Sequence, residues 1–234
     1  MSTNDEHDAR FARSRVLIVG VGGLGAPAAM ALAAAGVGTL VLVDPDVVEL
    51  SNLHRQPLYE TADVGRAKVD VAASRLHAST VVTHRARFAP EHLGGCDAVL
   101  DGTDSIAAKF LVNDACVDAG VPLVHAGVLG FRAQLLTVLP GRSACYRCVF
   151  EEAPPPGDVP SCQEAGVLGP VPSVAGALQA AEALRVLAGG EPQHADRLLT
   201  FDLHAGRWRA VPVAARPSCP ACARLHVLGR SEAS

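Results

Sequence analysis

The residues best suited to chemistry follow the first apolar run of the chain, where glycines stand in a GxGxxG pattern before an Ala-rich stretch. Gly20 permits a tight turn, Gly22 lets backbone approach a phosphate, and Gly25 lets a helix pack closely on a strand. The free N–H groups and the positive dipole end of that helix form an anion site. Asp44, about 20 residues after the loop, is placed to bind ribose hydroxyls. This pattern predicts a nucleotide site, and by itself it suits NAD or FAD as readily as ATP.

Charged residues beyond Asp44 indicate which nucleotide is bound, ATP or a dinucleotide. Arg55 and Lys68 add two cations near the carboxyl ends of predicted strands, and Asp104 offers a hard oxygen ligand for Mg²⁺. Cations and Mg²⁺ around a nucleotide are the groups needed for displacement at phosphorus. Singly, Arg55 or Lys68 is more often a solvated surface charge. Together with the glycine loop they favour ATP.

Two CxxC pairs indicate a metal. Cys145 and Cys148 are separated by 70 residues from Cys219 and Cys222. Two intervening residues let both thiolates of a pair converge on one ion, and four thiolates complete a closed tetrahedron. We expect a structural zinc that attaches the C-terminal tail to the body of the protein; a redox role for each pair is the alternative. Seven cysteines in a reducing compartment also suit metal better than disulfides.

Alternating elements must position these residues. Apolar patterning predicts strands at 15–20, 39–43, 80–86, 97–101, 122–126, 133–139, 198–203 and 207–213, and helices at 26–35, 65–77, 105–119 and 174–187. Alternation implies right-handed βαβ units, and the later strands suggest mixed pairing. We therefore expect an α/β fold, Rossmann-like and doubly wound, with a mostly parallel sheet, antiparallel edge strands and a C-terminal structural zinc site.

Length and composition limit the remaining choices. We expect one domain over 1–234, with a nucleotide-binding half at about 13–127 and a C-terminal half at about 128–222 that holds a crossover loop at 151–169. A net charge of −4 does not show the excess of basic residues that is typical of proteins that bind nucleic acid or an anionic membrane. Residues 1–14 are polar and charged, unlike a signal peptide. A cytoplasmic protein without membrane association is expected.

A wider set of motifs carries a family resemblance from about residue 13 to residue 222. It comprises Val19–Gly25, Asp44, Ser51–Gln56, Gly65–Lys68, Asp101–Asp104, Asn113–Cys116, both CxxC pairs, Ser161–Pro170 and Leu178–Leu184. In these motifs the chain resembles the ThiF/MoeB/HesA family, the bacterial relatives of ubiquitin-activating enzymes.

The resemblance implies a nucleotidyltransferase that uses ATP and Mg²⁺ and holds structural Zn²⁺. It implies adenylation of the C-terminal Gly-Gly carboxylate of a small β-grasp sulfur-carrier protein, which prepares the carrier for thiocarboxylate formation. A homodimer and a separate sulfurtransferase or cysteine desulfurase are also implied. The residues carried over are Gly20, Gly22, Gly23 and Gly25 for the nucleotide, Asp44 for the ribose, Asn52, Arg55, Gln56 and Lys68 for the phosphates, Asp104 for magnesium, and Cys162 as a possible covalent thiol.

Other interpretations stay open at this stage. An activating enzyme of the same fold could modify another carboxylate, in a peptide or in ubiquitin-like conjugation. A NAD-dependent Rossmann oxidoreductase would explain only the first 45 residues. A non-catalytic scaffold with this fold is a further alternative. Cys96 and Cys116 are expected to be buried as small apolar residues, and His125 to be structural.

Overall fold

The described chain, residues 3–155 and 166–226 of a computed structural model, contains eight strands in one sheet. They are β1 Arg15–Val19, β2 Thr39–Val43, β3 Thr80–His84, β4 Ala98–Asp101, β5 Leu123–Leu129, β6 Arg132–Val138, β7 Arg197–Asp202 and β8 Arg207–Pro212. The strands pair in the order β3-β2-β1-β4-β5-β6-β7-β8.

The first five strands are parallel, with β3 at one edge of the sheet and the other four inside it. The central strands β1, β2 and β4 are short apolar runs that are buried almost throughout, as expected where both faces of a sheet are covered. Strand β1 pairs with β2 on one side and β4 on the other, so the direction of winding reverses there. Ligands of such sheets bind at this reversal, outside the carboxyl ends of the strands.

The last four strands pair in an antiparallel manner. Strands β5 and β6 are joined by a two-residue turn, in which Gly130 has a φ of 59°. A turn of this kind needs a residue that tolerates the left-handed region, and glycine does so without strain. Strand β8 lies at the edge of the sheet and is exposed along its whole length. The predicted fold class, mostly parallel with antiparallel strands at one edge, is confirmed.

Helices cover both faces of the sheet. They are α1 Thr3–Phe11, α2 Gly25–Ala34, α3 Lys68–Arg75, α4 Ile106–Ala119, α5 Tyr146–Val149 and α6 Pro170–Leu187, with 3-10 turns at Leu50–Arg55, Thr61–Asp63 and Pro90–Leu93. Helices α2, α3 and α6 bury one face, and α4 covers the other together with the segment around Cys219 and Cys222. Within the described ranges, no helix combines the length and apolarity needed to cross a membrane.

Some element bounds differ from the sequence prediction. Helix α3 begins at Lys68, because Gly65 has a φ of 89° and donates its N–H to the Val48 carbonyl, at 2.9 Å. Helix α6 begins at Pro170, four residues early, since first-turn N–H groups have no partner inside a helix and proline is tolerated there. Helix α1 was not predicted from its polar sequence. Of the loop predicted at 151–169, residues 156–165 lie outside the described part of the chain.

The glycine loop is packed so tightly that it supports a stability prediction. A Cβ on Gly25 would lie 1.9 Å from the carbonyl oxygen of Gly20, whereas a Cβ on Gly22 would meet nothing nearer than Gln56 at 3.5 Å. We expect Gly25→Ala to lower the free energy of unfolding by about 3 kcal/mol, because the backbone must move to accept the methyl group. Denaturant unfolding measures the loss, with Gly22→Ala as the matched control that keeps its midpoint. Equal losses in the two variants would contradict this packing.

Candidate nucleotide site and metal centre

The glycine loop (Gly20–Gly25) and Asp44 form one bonded unit. The carboxylate of Asp44 accepts hydrogen bonds from the N–H groups of Val21, at 2.7 Å, and Asp46, at 2.8 Å. The hydroxyl of Tyr59 donates to the Val21 carbonyl at 2.7 Å. Burial raises the pKa of Asp44, and the nearby Lys68 ammonium partly offsets that rise. The residue predicted to bind ribose is therefore anchored to the loop predicted to bind phosphate.

Two features beside this loop are suited to a bound polar molecule. The chain's own packing does not require glycine at position 22, so its missing side chain leaves room on the cleft side. Gln56 is buried, yet its Oε1 atom has no hydrogen-bond partner among the described residues. An unpaired buried amide oxygen is costly. A donor on a bound ligand would satisfy it.

The two predicted phosphate-binding cations are held by partners that a ligand can displace. Lys68 Nζ lies 3.0 Å from Asp46, whose side chain is 63% exposed while that of Lys68 is 7% exposed. Arg55 donates to the Asn52 amide oxygen at 2.6 Å. Water can hydrate the exposed Asp46 carboxylate when Lys68 leaves it, and the Arg55–Asn52 contact is a hydrogen bond to a neutral group. Both cations can therefore turn toward an anion in the cleft at small cost.

Asp104 follows β4, at the point where α4 begins. Ser105 caps that helix, with its hydroxyl accepting from the Ala108 N–H at 3.4 Å. Asp104 itself is exposed, and its carboxylate has no hydrogen bond or ion pair to any residue in 3–155 or 166–226. An unpaired carboxylate beside a phosphate site is a suitable ligand for a divalent cation.

These residues meet in one cleft of about 2060 Å³ at the carboxyl ends of the parallel strands. It is lined by Gly20, Gly22, Gly23, Asp44, Asn52, Arg55, Gln56, Lys68 and Asp104, which the sequence predicted. Gly25 does not line it and instead packs beneath Gly20. Cys162 lies outside the described residues. The cleft continues along the antiparallel strands, where Gly127, Gln134, Thr200 and Arg209 line it.

Sequence reasoning missed a buried cluster in the wall of the cleft, which Lys109 lines. Asp101 Oδ2 accepts from His125 Nδ1 at 2.8 Å and lies 3.2 Å from Lys109 Nζ, which also donates to the Ala126 carbonyl at 2.7 Å. Asp101 Oδ1 accepts both the N–H and the hydroxyl of Thr103, at 2.9 and 2.7 Å. Asp101 and Thr103 belong to the motif Asp101–Asp104, but Lys109 and His125 stand in apolar surroundings with no spacing that links them to it, so only the fold shows that they meet.

The protonation states in this cluster follow from burial and charge. Burial alone would raise the pKa of Asp101, but Lys109, His125 and Thr103 outweigh it and hold the pKa well below its usual range. Burial, assisted by the Lys109 charge, lowers the pKa of His125 despite its bond to Asp101. The cluster is thus a carboxylate, an ammonium and a neutral imidazole. His125 is buried and bonded to Asp101, while its Nε2 atom has no partner among the described residues, so its structural role stays a prediction.

The four cysteines of the two CxxC pairs come together. Their sulfur atoms all lie within 4.8 Å of one another, with Cys145 and Cys219 at 3.6 Å and Cys148 and Cys222 at 3.4 Å. A tetrahedron of about 2.3 Å Zn–S bonds has edges of about 3.8 Å, so this donor set fits zinc. The four cysteines are free, and their sulfur atoms hydrogen-bond to one another. The hydrogen bond from Cys145 lowers the pKa of Cys148 to about 4. A divalent cation would replace the shared protons.

The cysteine cluster is tied to the wall of the cleft. Cys145 precedes helix α5, and Tyr146 and Phe150 from this segment line the cleft. The Tyr146 N–H donates to the Asn113 amide oxygen at 2.8 Å. Tyr146 also packs on His125, with ring centroids 4.4 Å apart. The metal centre and the nucleotide cleft therefore share structural elements.

The chain belongs to the ThiF family, whose model matches residues 2–221. It is 42% identical over 225 residues to the SAMP-activating enzyme E1 of Haloferax volcanii. The alignment covers 93% of this chain and 83% of that protein. It is 44% identical over 230 residues to the sulfur carrier protein adenylyltransferase of Thermus thermophilus. This alignment covers 93% of this chain and 85% of that protein. The family resemblance drawn from the motifs is confirmed.

Longer relatives and solved structures extend the comparison. The adenylyltransferase and sulfurtransferase MOCS3 of Sus scrofa is 46% identical over 222 residues, and this chain spans about half of it, 49% of its length. The crystal structure of E. coli MccB with MccA-N7isoASN aligns with a TM-score of 0.82 over 94% of this chain and 69% of MccB. At 24% identity, that likeness supports the fold alone.

The cysteine cluster generates a metal prediction. We expect one zinc per chain, and Cys219→Ala to lose it, because three thiolates no longer close the tetrahedron. Metal analysis of protein purified without chelator measures the content. Cys96→Ala, which removes a buried thiol away from the cluster, should keep one zinc. A wild-type protein without zinc, or a Cys219→Ala variant that retains it fully, would contradict the assignment.

Proposed function

We propose that this protein is an ATP-dependent adenylyltransferase that activates the C-terminal Gly-Gly carboxylate of a small β-grasp carrier protein. The single observation that supports it most is the convergence on one cleft of the glycine loop, two displaceable cations and the unpaired Asp104. A dehydrogenase needs one pyrophosphate site and apolar room for nicotinamide. It has no use for this set of charges.

ATP would be held by groups that already lie at the glycine loop. We assign the phosphates to the loop N–H groups, Arg55 and Lys68, and the ribose hydroxyls to Asp44. On binding, Lys68 would exchange the exposed Asp46 carboxylate for a phosphate. Gln56 and Asn52 would complete the polar wall. The anchoring of Asp44 by Val21 and Asp46 means that little reorganisation is needed.

Asp104 is the residue that would hold magnesium, and it fits that role because its carboxylate faces the cleft without a competing partner. Bound there, Mg²⁺ supplies charge neutralisation for the phosphates. The adjacent start of α4 adds the positive end of a helix dipole on the same side. The remaining stabilisation comes from Arg55 and Lys68.

In the reaction, a carboxylate oxygen of the carrier attacks the α-phosphorus of ATP. The new bond joins carboxylate and phosphorus as the bond to the β-phosphate oxygen breaks, so pyrophosphate leaves and an acyl-adenylate remains. A general base is unnecessary because the attacking carboxylate is already ionised. The protein's contribution is alignment of two reactants and stabilisation of charge on the phosphates.

The carrier's tail would enter along the antiparallel half of the sheet. Gly127 has no side chain, and Gln134 and Thr200 continue the same surface toward the edge strand β8. An extended segment that ends in two glycines could lie close against such a surface, because it has no side chains there. Two relatives support a protein as the substrate, since alignment with this chain covers more than four-fifths of each. One is named an adenylyltransferase of a sulfur carrier protein, and the other a SAMP-activating enzyme E1.

Three wider features of this proposal rest on the family and on composition. We propose a two-fold dimer, a sulfur donor that is a separate sulfurtransferase or cysteine desulfurase, and action in the reducing cytoplasm. The free thiols of the cysteine cluster suit that compartment.

Pyrophosphate exchange tests the proposed reaction. With ATP, Mg²⁺ and a Gly-Gly-ended β-grasp protein, the wild type should exchange labelled pyrophosphate into ATP. Asp104→Asn should reduce the rate at least a hundredfold, because the metal loses its only protein carboxylate in this assignment. Asp70→Asn, which neutralises an exposed aspartate on α3, is the matched control and should leave the rate unchanged. Full exchange by Asp104→Asn, or binding of NAD in place of ATP, would refute the proposal.

A separate experiment addresses Cys162. Adenylation does not use a thiol, so Cys162→Ala should keep pyrophosphate exchange while sulfur transfer to the carrier falls at least tenfold. Thiocarboxylate formation, followed by mass spectrometry of the carrier, measures the second step. Cys96→Ala controls for loss of any one thiol. If both activities of Cys162→Ala stay at wild-type levels, the adenylate is attacked directly and the covalent role is wrong.

A further inference from the structure

We propose that Lys109 is a positioning residue, which acts through Asp101 to set the turn Gly102–Asp104 and thereby the carboxylate that would hold magnesium. This inference rests on the proposed adenylation and adds to it a residue in the wall of the cleft. Of the twenty lysine and arginine residues only two, Lys68 and Lys109, are lysines. Both line the same cleft, and each is paired with an aspartate.

The two lysines differ in what surrounds their partners. Asp46, the partner of Lys68, is largely exposed, whereas the side chains of Asp101 and Lys109 are only 1% and 8% exposed. Lys109 also donates to the Ala126 carbonyl. A buried pair is not displaced by a ligand at small cost, because either charge left alone would be strongly unfavourable. Lys109 therefore stays on Asp101 throughout the reaction.

Asp101 in turn holds the segment that ends at Asp104. Its Oδ1 atom accepts both donors of Thr103, which closes a tight turn immediately after β4. Lys109 and His125 occupy the other carboxylate oxygen, Oδ2. With all of these donors in place, Asp101 cannot rotate without losing hydrogen bonds, and the turn has one orientation.

The same turn lies against the glycine loop. The Gly102 N–H donates to the Val19 carbonyl at 2.8 Å. A Cβ on Gly102 would lie 2.8 Å from the Gly20 carbonyl oxygen and 3.0 Å from the Gly25 nitrogen. There is no free space between turn and loop. A shift of Asp101 would therefore move Asp104 relative to the phosphate site.

A contribution to stability does not by itself explain why Lys109 and Asp101 form a buried ion pair. Well-packed apolar side chains of similar volume are often as stable as a buried ion pair, or more so. A charged pair is useful here because an ionised Asp101 accepts several directed bonds that an apolar side chain cannot. We infer that Lys109 keeps this carboxylate ionised and oriented for the benefit of the Asp104 turn.

The test uses Lys109→Met, which removes the charge at similar length, and Lys109→Arg, which keeps it. Calorimetric titration of ATP over a range of Mg²⁺ concentrations gives the half-maximal Mg²⁺ requirement. Lys109→Met should raise that requirement at least tenfold, and Lys109→Arg should bring it back to within threefold of wild type. Glu182→Gln changes a buried carboxylate that lies outside the cleft and should leave the requirement unchanged.

The Thr103 amide provides a second readout, and variants of Thr103 provide a third. Hydrogen exchange of the Thr103 amide should become at least tenfold faster in Lys109→Met. Should that variant fail to fold, Thr103→Val should raise the Mg²⁺ requirement while Thr103→Ser should not. Unchanged Mg²⁺ dependence and unchanged Thr103 protection in folded Lys109→Met would overturn the inference. A wild type that binds no ATP defeats the proposed function instead, and the Thr103 amide then decides on Lys109 alone.

Discussion

The cleft depends on one buried carboxylate, that of Asp101. It accepts hydrogen bonds from Lys109, His125 and both donors of Thr103, and so joins β4, α4 and β5 beside β1, where the direction of winding reverses. Buried charge is tolerated only when it is fully paired, and this pairing leaves few alternative arrangements. The turn that it holds is packed directly on the glycine loop, so the geometry of the whole phosphate site follows from it.

The front of the cleft has the opposite physical character. Lys68 and Arg55 are held by partners that are exposed or uncharged, Gln56 has an unpaired oxygen, and Asp104 stands without a partner in the described chain. These groups are held in place in the cleft, but their bonds within the protein can be exchanged for bonds to a ligand. A rigid buried frame with unsatisfied polar groups in front of it is what electrostatic preorganisation requires, since a ligand then meets charges that need little rearrangement.

The cysteine cluster belongs to the same frame. Arg147 forms a two-point ion pair with Asp114, and its guanidinium lies 4.7 Å from the centre of the Phe110 ring. Arg216, near the second CxxC pair, donates to the Arg147 carbonyl at 2.9 Å. A metal bound by thiols from both ends of this arrangement would fasten the C-terminal segment to α4 and α5. The wall of the cleft and the metal centre thus depend on each other.

Sequence alone determined the glycine loop, the alternation of strands and helices and the pairing of four thiols, because each of these is encoded in local spacing or periodicity. The wider set of cleft residues, such as Asn52 and Gln56, came from the family resemblance, and their roles stay a prediction. It could not show that Gly25 packs under Gly20 while Gly22 lines the cleft, since both are glycines in one motif. Nor could it place α1, whose polar sequence has no apolar period. The grouping of Asp101 with Lys109 and His125 was decided only by the tertiary structure. Parallel strand pairing brings these distant residues together, and burial then makes their mutual charges strong.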